Sequence, residues 1–137
     1  INFFNLRNLN LSRNLFEHEG MKYLALKNFG NLKKLNLSLN FIGDIGIEYL
    51  SNMKLFSLEN LNLSYNDITD EGIEFFSKIV FHNLKILDFE QNDITYIGVD
   101  FLIEMKLEFL EELILTNNDI GLEGRYALDN LRIKAIY

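Results

Sequence analysis

Apolar residues follow two alternating patterns along this chain. In Leu35-Asn36-Leu37 and again in Leu61-Asn62-Leu63, apolar and polar residues alternate with a period of two, which predicts a short, half-buried β-strand. Ten residues after the first of these segments the spacing changes, because Ile47, Leu50 and Met53 follow one another at helical spacing. The local unit predicted is therefore a strand, a turn and a helix.

This unit recurs five times with a period of 26 residues and no insertion or deletion. Each copy has the form LxxLxLxxNx[IF]xxxGxxx[LF], with Phe89 in place of the third leucine of the fourth copy. One strand and one helix cannot bury their apolar faces alone, so neighbouring copies must stack side by side. The copies start at Leu6, Leu32, Leu58, Leu84 and Leu110.

The pattern resembles that of leucine-rich repeat proteins, and the half reading Asn-x-Ile-x-x-x-Gly-x-x-x-Leu is similar to their ribonuclease-inhibitor-like subfamily. The resemblance implies an α/β fold: a right-handed solenoid, or horseshoe arc, with a concave parallel β-sheet, convex helices and about five repeats. We expect residues 1–137 to form a single domain of this kind, with repeats starting at residues 6, 32, 58, 84 and 110. Because the chain begins and ends in the middle of a repeat, we expect it to be a fragment of a longer array.

One asparagine per repeat falls where the strand ends and the chain turns inward among leucines. A buried carboxamide that lacks partners costs about 1–3 kcal/mol, so we expect each asparagine to bond to the backbone of its turn and of the next repeat. This structural ladder is predicted for Asn14, Asn40, Asn66, Asn92 and Asn118.

The variable positions between the inward-facing leucines are the predicted binding surface. Leu39, Phe41 and Tyr65, joined by Leu15, are expected to form an apolar patch beside Arg13. Large exposed apolar side chains on such a surface are typical anchors of protein interfaces. The alternative is that Leu39 or Phe41 folds under a neighbouring loop.

Acidic and polar side chains extend this predicted surface into the later repeats. Asp67, Asp93 and Asp119 each follow a ladder asparagine, so stacking places them about 5 Å apart. They are interpreted, in order of preference, as turn residues that bond to their own backbone, as a site for a basic partner or a cation, or as paired acids for general acid–base catalysis. The polar members of the predicted partner-binding surface are Asp67, Asp88, Glu90, Gln91, Asp93 and Asp119.

Charge is distributed unevenly along the chain. Residues 1–57 hold seven basic and four acidic side chains, whereas residues 58–137 hold six basic and sixteen acidic ones. Such a dipole would steer a basic partner toward the C-terminal end, although a solvated acidic face is the alternative explanation. A pI near 4.8 argues against general affinity for nucleic-acid phosphates.

The sequence offers little support for catalysis or for membrane insertion. It contains no Cys, and the segment from Glu17 to Lys22 lacks the second histidine of the zinc motif HExxH, because Lys22 takes its place. No apolar run approaches the about 18 residues that a membrane span needs. We therefore expect no enzymatic activity, no cofactor, no metal and no membrane partner.

The preferred interpretation is a non-catalytic recognition module that binds a protein partner on its concave sheet. The resemblance also admits a regulator of an enzyme or GTPase, or the substrate-recognition arm of a ubiquitin ligase in a bacterial effector delivered to a host. A structural array within a larger scaffold protein is the third possibility. Asn-Leu-Ser triplets at residues 10, 36 and 62 would place glycans on the strands of a secreted protein, which favours a cytoplasmic or bacterial chain.

Overall fold

Strands and helices alternate along the chain, as the switch in hydrophobic period predicts. The computed structural model describes residues 3–137. Its strands are β1 (Asn8–Asn10), β2 (Lys34–Asn36), β3 (Asn60–Asn62), β4 (Ile86–Asp88), β5 (Glu112–Ile114) and β6 (Lys134–Ile136). Its helices are α1 (His18–Ala25), α2 (Gly43–Ser51), α3 (Asp70–Phe76), α4 (Tyr96–Glu104) and α5 (Gly121–Asp129).

All strands are parallel, and their order in the sheet is their order in the chain. From β1 to β5 the partners across neighbouring strands are 26 residues apart, so that Leu35 lies between Leu9 and Leu61. The central leucines of β2 to β5 are buried, and they share one core with helix residues such as Ile47 and Ile73. The predicted solenoid of stacked strand–turn–helix units is therefore confirmed.

The last strand departs from the 26-residue period. A constant period would start the next strand after Ile136, which lies one period after Leu110. Instead, β6 pairs with β5 so that Lys134 lies opposite Glu112, only 22 residues away. The return segment after α5 is shorter than those before it, because the alternation of apolar and polar residues resumes at once in Ile133-Lys134-Ala135.

The buried carboxamide of Asn66 joins two repeats. Its Oδ1 accepts the backbone N–H groups of Asn40 and Ile42 in the preceding repeat. Its Nδ2 donates to the carbonyl of Leu37 in that repeat and to two carbonyls of its own turn. Asn40 and Asn92 are buried in the same way and repeat the arrangement one period earlier and one period later.

The ladder is less enclosed at its two ends. Asn14 is exposed, and among residues 3–137 its Nδ2 donates only to carbonyls of its own turn, those of Leu11 and Ser12. Asn118 is half-buried, and its Oδ1 accepts the N–H of Ile94 at 3.0 Å. The continuous, water-excluded part of the ladder thus lies in the middle repeats.

A second connection, here called the clasp, joins an aspartate at the start of one helix to a threonine before the next helix. Asp70 Oδ1 accepts the N–H groups of Thr95 and Gly98 at 2.8 and 2.9 Å, and its Oδ2 accepts the hydroxyl of Thr95 at 2.6 Å. The same hydroxyl oxygen caps α4. Asp44 and Thr69 form the equivalent pair one repeat earlier.

The recurrent glycine of the helical half leaves room for the clasp. A Cβ on Gly72 would collide with Asp44 Oδ1, and the clasp one repeat later imposes the same restriction. The backbone of Gly72 does not have a positive φ, so it is crowding by the neighbouring repeat that requires glycine here. Positive φ instead occurs at Gly43 and Gly121, which begin α2 and α5.

We predict that Asn66→Ala lowers the free energy of unfolding by about 2–3 kcal/mol, because it leaves buried N–H and carbonyl groups without partners. The matched variant Asn14→Ala, at the exposed end of the ladder, should cost less than about 1 kcal/mol. Urea unfolding followed by circular dichroism measures both values. Equal unfolding midpoints for the two variants would contradict the energetic role of the buried ladder.

The clasp generates a second prediction. Asp70→Ala should lower the free energy of unfolding by about 2 kcal/mol, because two backbone N–H groups and one hydroxyl lose a charged acceptor. Asp93→Ala is the matched control, since the exposed Asp93 carboxylate has no hydrogen-bond or ion-pair partner within residues 3–137 and its backbone does not have a positive φ; it should change stability by less than about 0.5 kcal/mol. The same urea titration separates the two, and a control as destabilised as Asp70→Ala would argue against the clasp.

Candidate functional site

The turns that follow the strands line a hollow of about 510 Å³, here called the turn groove. Seven of the ten residues predicted for partner binding line it: Arg13, Leu39, Phe41, Tyr65, Asp67, Gln91 and Asp93. Leu15 and the ladder residue Asn92 complete the lining. Residues from four successive repeats therefore meet on one surface.

The turn groove lies beyond the carboxyl ends of the strands, whereas the sequence analysis expected the partner to bind on the concave sheet. The strands end at Asn36 and Asn62, and Leu39 and Tyr65 have φ values of +59° and +58°, in the left-handed region that a strand does not use. The ladder asparagine holds this bend by donating to two carbonyls of the turn. Even so, the Leu39 N–H donates to the Ser64 carbonyl at 2.9 Å, so neighbouring turns remain as closely stacked as the strands.

One half of the turn groove is apolar. Leu15, Phe41 and Tyr65 are 70%, 58% and 41% exposed, and Leu39 is half-buried. Phe41 therefore does not fold under a neighbouring loop. Exposed aromatic and aliphatic side chains in a shared hollow offer apolar area that a partner can bury.

The charged groups of the turn groove have no ion-pair or side-chain hydrogen-bond partner in the described part of the chain. The Arg13 guanidinium and the carboxylates of Asp67 and Asp93 form no ion pair and no side-chain hydrogen bond with any of residues 3–137. The turn interpretation requires these carboxylates to accept backbone N–H groups of their own turn, and the described residues contain no such bonds. These charges are accordingly available to a ligand.

The opposite edge of the sheet contrasts with this arrangement, because charges of neighbouring repeats are paired there. Lys33 Nζ lies 2.5 Å from Glu59 Oε1, and Lys85 Nζ lies 3.9 Å from Glu59 Oε2. The hydrogen bond from Lys33 lowers the pKa of the Glu59 carboxyl below its ordinary value. Charged side chains of neighbouring repeats therefore form ion pairs at this edge of the sheet, whereas those of the turn groove do not.

A second hollow of about 470 Å³ crosses the outward face of β1 to β4 and is here called the strand hollow. Five of the eleven residues that line it are asparagines, and Asp88 is the one predicted partner-binding residue that contributes to it. Asn36 and Asn62 lie side by side in it, and each accepts the N–H of the residue two positions later. Glu90 and Asp119 line neither the strand hollow nor the turn groove.

Asp88 replaces, in the fourth repeat, the asparagine of the first three. Burial raises the pKa of the Asp88 carboxyl above its ordinary value, although the hydrogen bond from the Glu90 N–H opposes that shift. The carboxylates of Glu90 and Glu112 raise this pKa further. Asp88 Oδ2 also accepts the Nδ2 of Asn62 at 2.8 Å, so the carboxylate is held within the sheet surface.

The sequence analysis did not single out the clasp residue Asp44. It lines a third hollow, of about 490 Å³, that shares Phe41 and Asp67 with the turn groove. Phe41 and Asp67 thus stand on the ridge between two hollows. The available sequence signal was Thr69, a good helix cap that follows Asp44 by 25 residues, just as Thr95 follows Asp70.

Metal binding and membrane insertion are the other kinds of function that the side chains and helices can be compared with. Within residues 3–137, no group of three or more His, Cys, Asp or Glu side chains is arranged to hold a metal ion. In the same part of the chain, each helix is too short or too polar to cross a membrane.

We predict that Asp88→Asn stabilises the protein at pH 7. Because the folded-state pKa is raised above the ordinary value of 3.8, the folded state binds the proton more tightly than the unfolded state, and stability falls as pH rises through the interval between the two values. Asparagine keeps the Oδ1 acceptor for the Glu90 N–H and removes the charge. It loses the hydrogen bond that Asp88 Oδ2 accepts from Asn62 Nδ2, a cost that does not depend on pH and that reduces the gain. Urea midpoints between pH 3 and 7 should show the gain at pH 7 shrinking toward low pH. A gain that is independent of pH would contradict this account.

Comparison with known sequences agrees with the structure. The family profile described as Leucine Rich repeat matches residues 31–51, 54–77, 82–102 and 106–128, which together make up more than half of the chain. No curated protein matches the chain. Since the matched segments coincide with stacked strand–turn–helix units of ribonuclease-inhibitor-like type, the chain belongs to the leucine-rich repeat family.

Proposed function

We propose that this leucine-rich repeat module is non-catalytic and binds a protein partner in the turn groove. The observation that carries the proposal is the apolar half of the groove, where Leu15, Phe41 and Tyr65 remain exposed beside charges that have no partner in the described chain. Leucine-rich repeat modules generally bind proteins. The binding surface proposed here is the row of turns at the carboxyl edge of the sheet.

The apolar half is expected to supply most of the affinity. In protein interfaces a few buried aromatic or aliphatic anchors each contribute about 2 kcal/mol or more. Phe41 and Tyr65 have the size and exposure for this role, and they come from adjacent repeats. A partner that covers both would bury them against Leu39, which is already half-buried.

The acidic half is expected to set the orientation of the partner. Asp67 and Asp93 lie in the C-terminal portion of the chain, where acidic side chains outnumber basic ones by ten. Charges at the edge of an interface act more on the association rate and on register than on affinity. A partner with a basic patch is therefore favoured.

The side chains of the turn groove also support a non-catalytic role. Its lining consists of aliphatic, aromatic, amide, carboxylate and guanidinium groups. It includes neither a Ser, Lys or His side chain nor a thiol among the described residues that line it. Ser, Lys, His and thiol groups are frequent covalent nucleophiles and bases. The carboxylates and the Tyr65 phenol can also act as nucleophiles, but within residues 3–137 they have no hydrogen-bonded base beside them, whereas the lining is suited to binding.

The test compares capture of proteins from a cell extract by the immobilised wild type, by Phe41→Ala/Tyr65→Ala, and by Leu122→Ala/Tyr126→Ala. The last variant is the control, because Leu122 and Tyr126 are more exposed than Phe41 and Tyr65 but lie on α5. We expect the wild type and the control to retain the same partner, which the Phe41/Tyr65 variant should bind at least about thirtyfold more weakly.

Quantification uses titration of the captured protein, and urea unfolding verifies that all three proteins are folded. Equal affinity of the partner for the Phe41/Tyr65 variant and the wild type would place the binding surface elsewhere.

A further inference from the structure

We propose that the occupant of the turn groove is an extended segment of about five residues, with an acidic side chain at one end, an apolar one in the middle and a basic one at the other end. This inference rests on the proposed function, since it names the chemistry of the partner segment that the groove binds. It is carried by the order of side chains along the groove and by the spacing of the repeats.

The turn groove is built from two parallel rows of side chains, one residue per repeat in each row. The first row is Arg13, Leu39, Tyr65 and Gln91, and the second row is Leu15, Phe41, Asp67 and Asp93. In the first row, each backbone N–H donates to a carbonyl of the next repeat at 2.9–3.0 Å. Successive members of the first row are therefore separated by the strand spacing of about 4.8 Å.

The chemistry of the groove changes in one direction along these rows. The first repeat contributes the positive charge of Arg13, the second contributes Leu39 and Phe41, and the third and fourth contribute the carboxylates of Asp67 and Asp93. The groove thus runs from positive through apolar to negative. A complementary ligand runs from acidic through apolar to basic.

The length of the segment follows from two spacings. From the first to the fourth repeat there are three inter-strand steps, or about 14 Å. An extended chain advances about 3.4 Å per residue and alternates its side chains, so residues i, i+2 and i+4 face the same side over a similar distance. The acidic residue i would meet Arg13, the apolar residue i+2 would cover Phe41, and the basic residue i+4 would reach Asp93.

The charges at the two ends give this order its selectivity. Because Arg13, Asp67 and Asp93 have no ion-pair partners within residues 3–137, a ligand with the correct order pairs them without breaking an existing contact. A ligand with two basic ends places like charges at Arg13, which is unfavourable. A segment read in either chain direction fits, provided that its acidic end lies at Arg13.

The test is selection from a displayed library of random pentapeptides flanked by Gly-Ser linkers. The wild type should enrich peptides that have Asp or Glu at one end, an aliphatic or aromatic residue in the centre and Lys or Arg at the other end. Arg13→Glu should replace the acidic preference by a basic one and keep the central preference. The matched control is Arg7→Glu, which makes the same change in net charge before β1 and outside the groove; it should select the wild-type pattern.

A synthetic peptide of the selected sequence should bind Arg13→Glu at least about tenfold more weakly than the wild type or Arg7→Glu, by fluorescence anisotropy. The inference is overturned if the wild type enriches no pattern, if the pattern has no charged ends, or if Arg13→Glu selects the same peptides as the wild type. Those results leave the proposed function standing when protein capture still depends on Phe41 and Tyr65. If the Phe41→Ala/Tyr65→Ala variant captures the partner protein as well as the wild type does, the proposed function itself is overturned.

Discussion

The requirement that a buried carboxamide satisfy all of its hydrogen-bonding groups determines much of this structure. Asn66 lies among leucines where water does not reach it, so its oxygen and nitrogen must bond to protein backbone. The groups within reach belong to its own turn and to the preceding repeat. One side chain therefore fixes both the bend of the chain and the stacking of two repeats, and its recurrence every 26 residues makes the solenoid.

The same requirement creates the turn groove. When the carboxamide holds two carbonyls of the turn, the residue before it is forced into the left-handed region, as at Leu39 and Tyr65. Non-glycine residues rarely adopt this conformation, and its cost is offset by the hydrogen bonds of the ladder. The side chains of these residues then leave the plane of the sheet and line a hollow of their own. Binding surface and stabilising ladder are thus two consequences of one turn.

The sequence predicted the parts that depend on composition and period, but not those that depend on backbone geometry. Regular leucines were sufficient for the sheet and its order, and the apolar character of Phe41 was sufficient to propose an anchor. The strand length was not predictable, because the left-handed φ of Leu39 carries no residue signal comparable to glycine. Likewise, the clasp between Asp44 and Thr69 was not predicted, because only two of the five repeats carry its aspartate. A comparison of the repeats identifies only the positions at which all five have the same type of residue.

Within the acidic half of the turn groove, the backbone that carries the second row changes between Asp67 and Asp93. In the second row, Leu15, Phe41 and Asp67 have positive φ, but Asp93 does not. Asp93 instead pairs in parallel with Thr69 and donates its N–H to the carbonyl of Ile68 at 2.9 Å. Since Thr69 is held by its clasp to Asp44, the backbone that presents the Asp93 carboxylate depends on a contact between the second and third repeats. Changes in that contact should therefore alter the position of Asp93 before they alter the apolar half of the groove.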